Sequence, residues 1–309
     1  MIGLTHLREG YTMKKTLITG ITMMTLAQVI LPILHQDTTQ ITHIQAAEAI
    51  NFDKGDQSEE EYVRSMIDQL LQQDVISIQM TAGDQEPTLS LLDLQNKSMK
   101  QSSTIALGDK EETLEGYFYD EGAYTEPISL SLSNIELANM DNPDAKKSVE
   151  ELSQELEGKA ILKEEEAVKG NVSNMIDSYK KMTEEFENFE EKEGKIIAKT
   201  ASTGIKEVPN ADMLIQFYGE EASLSKELTI DPQAKTLTLK QIIHTKETET
   251  TEEDPAGGIH LAPPTEMTYT FSETDETIPK LEELETITME EFNKLIEDKG
   301  LKVMPQSGQ

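Results

Sequence analysis

The chain contains no cysteine and no tryptophan, and its only arginines are Arg8 and Arg64. Without cysteine there is no disulfide, no thiolate nucleophile, no thiolate metal site and no cysteine-linked lipid anchor. Basic residues are scarce in general: Lys plus Arg total 27 against 59 Asp plus Glu, a formal net charge of −32. That charge repels nucleic-acid phosphates, so DNA and RNA are excluded as expected partners. The skew from arginine to lysine has the texture of low-GC bacterial coding. Hydrophobic residues make up 36%, a low share, yet 309 residues are enough to bury a core.

Sites of recognisable chemistry are equally scarce. No G-x-S-x-G, H-E-x-x-H, G-x-x-x-x-G-K-[ST] or G-x-G-x-x-G occurs. Beyond the N-terminal segment only His244 and His260 remain as histidines. Acids are so abundant that no carboxylate pair stands out for glycoside hydrolysis, and they read as a solvated surface. The nearest approach to a calcium loop, "FDKGDQSEEE" at 52–61, places Gly55 too early and leads into a helix whose N-terminus favours acids. The expectation is a protein that is not an enzyme, with no metal site and no cofactor.

What is present begins with an address. From Met13, Lys14 and Lys15 form a basic start, Thr16 to Leu34 an apolar stretch, and small residues arrive at Ala46, Ala47 and Ala49. These are the three parts of a secretory signal peptide. Residues 1–49 are expected to be an upstream extension plus this leader, cut near Ala46 to Ala49. The 19 apolar residues could span a bilayer, but four threonines, Gln28 and Pro32 weaken an anchor. The expected location is secreted or cell envelope.

Residues 50–309 are expected to form one α+β domain. Ser58 with Glu61 makes a capping box, and Tyr62, Met66, Ile67, Leu70 and Leu71 share a helical face. "VISIQMT" alternates as a half-buried strand. "PTLSLLDL", "SMKQSSTIAL", "TLEGYFYD" and "AYTEPISLSL" follow as strands separated by short turn compositions, which suits an antiparallel meander. "GYFYDEGAYTE" reads as a hairpin turning at Asp120-Glu121-Gly122. Asn142-Pro143 starts a helix carrying Val149, Leu152 and Leu156, and "LKEEEAV" is polar, a loop or short helix. A long helix runs from Val172 through Met175, Ile176, Tyr179, Met182, Phe186 and Phe189 at three- and four-residue steps, and its end can unwind into a strand before Gly194. "KIIAKTAS" is a strand and "NADMLIQFYG" a short helix. The strands "SLSKELTI", "TLTLKQIIH" and "EMTYTFSE" then precede a last helix, capped by Thr288 with Glu291 and stopped by Gly300. The acidic, proline-rich stretch 246–264, "KETETTEEDPAGGIHLAPP", is expected to be a hairpin loop between two of these strands.

An exported chain opening on an amphipathic helix, with an antiparallel meander, the "GYFYDEGAYTE" hairpin, a helical insert and strands leading to "TYTFSETDETIPK", resembles the LolA-like lipoprotein-carrier fold. The resemblance is closest to secreted Gram-positive relatives of unassigned function. It covers roughly 58–300 and rests on element order, with no invariant motif. It implies a curved antiparallel sheet, an incomplete barrel, with helices packed on its concave face and a groove for a lipid or other hydrophobic ligand. Helix 58–73 and the middle helices would form a lid, with Met66, Leu70, Tyr117, Phe118, Tyr124, Tyr269 and Phe271 as candidate ligand-binding residues. The periplasmic carriers latch the lid with an arginine on the sheet, and Arg64 stands on the first helix instead. The implied function is a non-catalytic envelope binding protein, with a membrane or cell-wall surface as a further partner. The alternative is a secreted acidic module with a fully packed core, binding cations, cell-wall polymer or a protein.

Overall fold

The computed structural model describes residues 49–83, 86–107, 110–139, 141–208, 211–245 and 265–303. The leader expected over residues 1–49, apart from Ala49, and the connection 246–264 lie outside the described residues. The first element, α1 (Glu59–Leu71), begins as the capping box requires. The Ser58 hydroxyl accepts from the Glu61 amide at 3.3 Å, and the Glu61 carboxylate accepts from the Ser58 amide at 3.0 Å. Tyr62, Val63, Met66, Ile67 and Leu70 are all buried along one face.

Five strands follow: β1 (Val75–Ala82), β2 (Thr88–Asp93), β3 (Ser98–Leu107), β4 (Lys110–Tyr119) and β5 (Ala123–Pro127). The next elements are α2 (Ile128–Ala138), α3 (Pro143–Glu155), β6 (Ala160–Glu164), α4 (Asn171–Glu185), β7 (Phe186–Lys192), β8 (Lys195–Thr200), β9 (Thr203–Gly204) and α5 (Asp212–Tyr218). The chain ends on β10 (Ser223–Asp231), β11 (Thr236–His244), β12 (Glu266–Glu273), β13 (Thr286–Thr288) and α6 (Met289–Asp298). All the strands join one open 13-stranded sheet in the order β13-β6-β5-β4-β3-β2-β1-β12-β11-β10-β8-β7, with β9 also paired to β10. Among the described residues every pairing is antiparallel except β13 with β6. The α+β class and the antiparallel meander are therefore present. The strands flanking 246–264 pair directly, with Ile242 opposite Glu266.

Three expectations are corrected. "ISLSL" after Pro127 is the start of α2, not the end of a strand. Ile128, Leu132 and Ile135 also fit a helical spacing, and burying that face against a second core overrides the alternation. Of "LKEEEAV", expected as a loop or short helix, Glu166–Val168 is a short 3₁₀ helix as expected, whereas Leu162–Glu164 complete β6, whose Ile161 is fully buried. Phe189, expected on the long helix, lies on β7 opposite Ala198, where sheet pairing overrides the helical spacing.

The sheet carries two main cores and a small third cluster. The larger joins α1, α4 and α5 to one sheet face, where the register aligns Ile78 with Phe271, Met80 with Tyr269, Tyr269 with Leu239 and Leu239 with Leu228. The smaller lies at the β6–β13 end and joins α2, α3 and α6 through Ile135, Leu152, Leu156, Phe292 and Ile296. Buried Asn139 ties it shut: its side-chain amide donates to the carbonyls of Ile135 and Lys302, and its oxygen accepts from the Lys302 amide. On the other sheet face Ile278 packs on Val75 and Leu91, with Tyr117 beside them.

The caps give a prediction for acid. Hydrogen bonds from Ser58 and Thr288, backbone amide first, hold the carboxyls of Glu61 and Glu291 below the usual range. A depressed carboxyl contributes above its unfolded value of about 4.3 and loses its contribution as pH falls through the lower folded value. Glu61→Gln/Glu291→Gln should therefore lower the melting temperature at neutral pH. The gap to the unsubstituted protein should close below about pH 4 in circular dichroism melts.

Candidate apolar site beneath α4

A cavity of about 50 Å³ lies between α4 and the sheet. Ile78, Met80, Met99, Gln101, Phe118 and Tyr269 face it from the sheet, and Val172, Met175 and Tyr179 from the helix. The lining is apolar except at a few points. Gln101 and Tyr179 are each 2% exposed, and Gln101 Oε1 and the Tyr179 hydroxyl have no hydrogen-bond partner. The Tyr269 hydroxyl makes a weak contact with Met267 Sδ at 3.8 Å. Burial pushes the phenols of Tyr179 and Tyr269 well above their ordinary value, so both stay protonated near neutral pH.

The helix over this cavity is fastened at both ends. At its start the N-cap is Gly170, at φ 78°, with no side chain to accept an amide hydrogen. Asp120, from the tip of the β4–β5 hairpin, replaces that missing cap. Its carboxylate accepts from the Ser173 amide at 2.8 Å and from the Ser173 hydroxyl at 2.7 Å, and its carbonyl accepts from the Gly170 amide. The hairpin comes this close because its turn residue is Gly122, at φ 97°. A Cβ there would stand 2.8 Å from the Glu165 carbonyl oxygen. At the other end Lys226 on β10 donates to Glu185 at 2.6 Å, with the two side chains 10% and 24% exposed.

A second, wider cleft of about 700 Å³ lies outside the hairpin. Glu121, Glu164, Glu165, Glu166 and Glu282 line it, with Lys280 as a cation among them. Tyr119 and Ala123 belong to the walls of both cavities. The Tyr119 hydroxyl donates to the Pro279 carbonyl at 2.9 Å.

The expected ligand residues separate into groups. Phe118 and Tyr269 line the inner cavity, and Phe271 stands behind it, edge-on to the Tyr179 ring at 5.4 Å. Met66 and Leu70 are fully buried in the same core on α1, away from the cavity lining. Tyr124 stacks on Phe118 with centroids 6.0 Å apart, its hydroxyl donating to Glu165 at 2.5 Å. Tyr117 must be set apart: alternation puts it on the opposite face, where it donates to Glu115 and packs beside Val75, Leu91 and Ile278. Gln101 and Tyr179 were missed, although the signal existed in a polar residue on the same face as Met99 and a tyrosine on the apolar face of a helix.

Other chemistry finds little support. Among the described residues no group of three metal-ligating side chains converges. Ser225 Oγ and His244 Nε2 lie 2.8 Å apart, but as an exposed cross-strand contact. No described helix is long and apolar enough to cross a membrane.

The buried tyrosines give a prediction for alkali. Burial, with help from Glu282, Glu283 and Glu121, pushes Tyr119 up to about 12, and burial alone does the same for Tyr218. A raised phenol contributes fully below its unfolded value of about 10, and the contribution is lost as pH climbs to the folded value. The melting temperature should fall between about pH 10 and 12, and Tyr119→Phe should flatten part of that fall. No protein-family model and no curated protein matches the chain.

Proposed function

We propose that the protein is an exported, non-catalytic binding protein of the cell envelope that accepts an apolar molecule between its sheet and α4. In this reading the sheet is an incomplete, curved barrel of the LolA-like kind, with α1 and α4 on its concave face. The observation that carries the reading is the apolar cavity beneath α4. A drug-sized ligand needs a pocket of roughly 300–1,000 Å³, far more than the cavity's volume of about 50 Å³, so this reading takes α4 to be a lid in its closed position. Binding then requires α4 to swing away, with the Asp120 and Lys226 contacts as the restraints that it breaks. Affinity would come from removing apolar ligand surface from water, roughly 25 cal/mol per Å² before the cost of moving the helix.

The small volume itself favours a second reading, an acidic module with a packed core whose surface meets cations, wall polymer or a partner protein. The absence of tryptophan makes the two readings easy to separate. Phe118→Trp places a single reporter in the cavity wall, and Phe217→Trp places one at a position 43% exposed. Under the first reading a long-chain lipid shifts the emission of the Trp at 118 saturably and leaves the one at 217 unchanged. Under the second, neither emission responds.

A further inference from the structure

We propose that the site beneath α4 selects an uncharged apolar chain bearing a hydroxyl, and discriminates against a carboxylate of the same chain length. This rests on the apolar-ligand reading and adds the chemistry of the ligand's polar end. Two independent features lead to it. The first is the pair of unpaired polar atoms on opposite walls of the cavity. Gln101 Oε1, from β3, can only accept a hydrogen bond, while the Tyr179 hydroxyl, from α4, can donate or accept. Once α4 has moved and opened both atoms to the site, a ligand hydroxyl would donate to Gln101 and accept from Tyr179. A buried acceptor left unpaired is costly, and a group that satisfies it recovers that loss on binding.

The second feature is charge. No lysine, arginine or histidine belongs to the cavity lining, so a carboxylate brought there would be a buried anion without a counter-ion. Tyr119 and Ala123 on the cavity wall also border a cleft lined by Glu121, Glu164, Glu165, Glu166 and Glu282, which repels an anionic head group. Tyr179 stays protonated in its buried setting and remains able to donate.

The test compares decanol with decanoate on the full chain at neutral pH, below micelle-forming concentrations, by calorimetry. Gln101→Leu, Tyr179→Phe and the double variant are measured alongside. The expected result is decanol binding about tenfold tighter or more, with the double variant reducing that preference toward unity. The variants exchange unpaired buried polar atoms for apolar ones of similar shape, so their melting temperatures should hold or rise. If a variant fails to fold, the comparison on the unsubstituted protein still decides. Decanoate binding as tightly as decanol overturns this inference and leaves the apolar-ligand reading standing. A preference unchanged in the double variant overturns the assignment to Gln101 and Tyr179. Binding of neither compound overturns the apolar-ligand reading itself, and this inference with it.

Discussion

Replacing Phe271 by alanine is expected to lower the unfolding free energy by about 3–5 kcal/mol. The ring is 1% exposed, paired with Ile78 on β1 and Leu237 on β11, and edge-on to Tyr179. It therefore sits at the seam where the meander β1–β5 meets the second group of strands, and α4 packs on the same spot. Truncation removes the transfer energy of the ring and leaves a hole that a sheet paired on both sides of β12 cannot close. Domains of this kind are stable by only about 5–15 kcal/mol, so the loss is a large fraction of the total. Urea titration followed by far-ultraviolet circular dichroism measures it, and Phe271→Leu should recover most of the loss. The enlarged hole adjoins the cavity beneath α4. A ligand-binding protein should then take up apolar probes more readily, whereas a packed module should only weaken.

The second large effect is expected at the hairpin tip. Asp120→Ala removes the only side-chain cap described for the start of α4, leaving the Ser173 amide and hydroxyl without that acceptor. Substituting a capping residue costs about 1 kcal/mol. A charged acceptor at the positive end of a helix adds to that, so about 2–3 kcal/mol is expected. Asp120→Asn keeps one acceptor and loses the charge, and should fall between the two proteins. Ser173→Ala removes only the hydroxyl bond and should cost about 1 kcal/mol. Hydrogen exchange supplies the local reading: amides in the first turn of α4 should lose protection in Asp120→Ala while those of the β6–β13 core keep theirs.

How far the sequence could be read depended on the range of each interaction. The boxes at Ser58–Glu61 and Thr288–Glu291 are local, four residues long, and both helices start where those residues require. Alternation along β1, β10, β11 and β12 was equally legible, since one buried face imposes a period of two. The passage of α4 directly into β7 at Phe186 was hidden by the apolar spacing, because Phe186 and Phe189 continue the helical steps although both lie on the strand. The cap that Asp120 gives to α4 spans 53 residues, and no local pattern announces it. The parallel pairing of β13 with β6 joins Thr286 to Ala160 across the whole second half of the chain. The cavity was hidden for the same reason. Gln101 and Tyr179 are unremarkable in their own elements, and matter only because tertiary packing sets them in one lining.

The central claim is that α4 covers a site for an apolar molecule, and native mass spectrometry tests it most directly. The purified full chain is incubated with a total lipid extract, separated from free lipid and sprayed intact. The account predicts one added apolar molecule per chain, retained by the unsubstituted protein and exchanged faster in Asp120→Ala, where the start of α4 is released. A bare polypeptide mass at every lipid concentration, in both proteins, would contradict it and leave the packed acidic module as the better description.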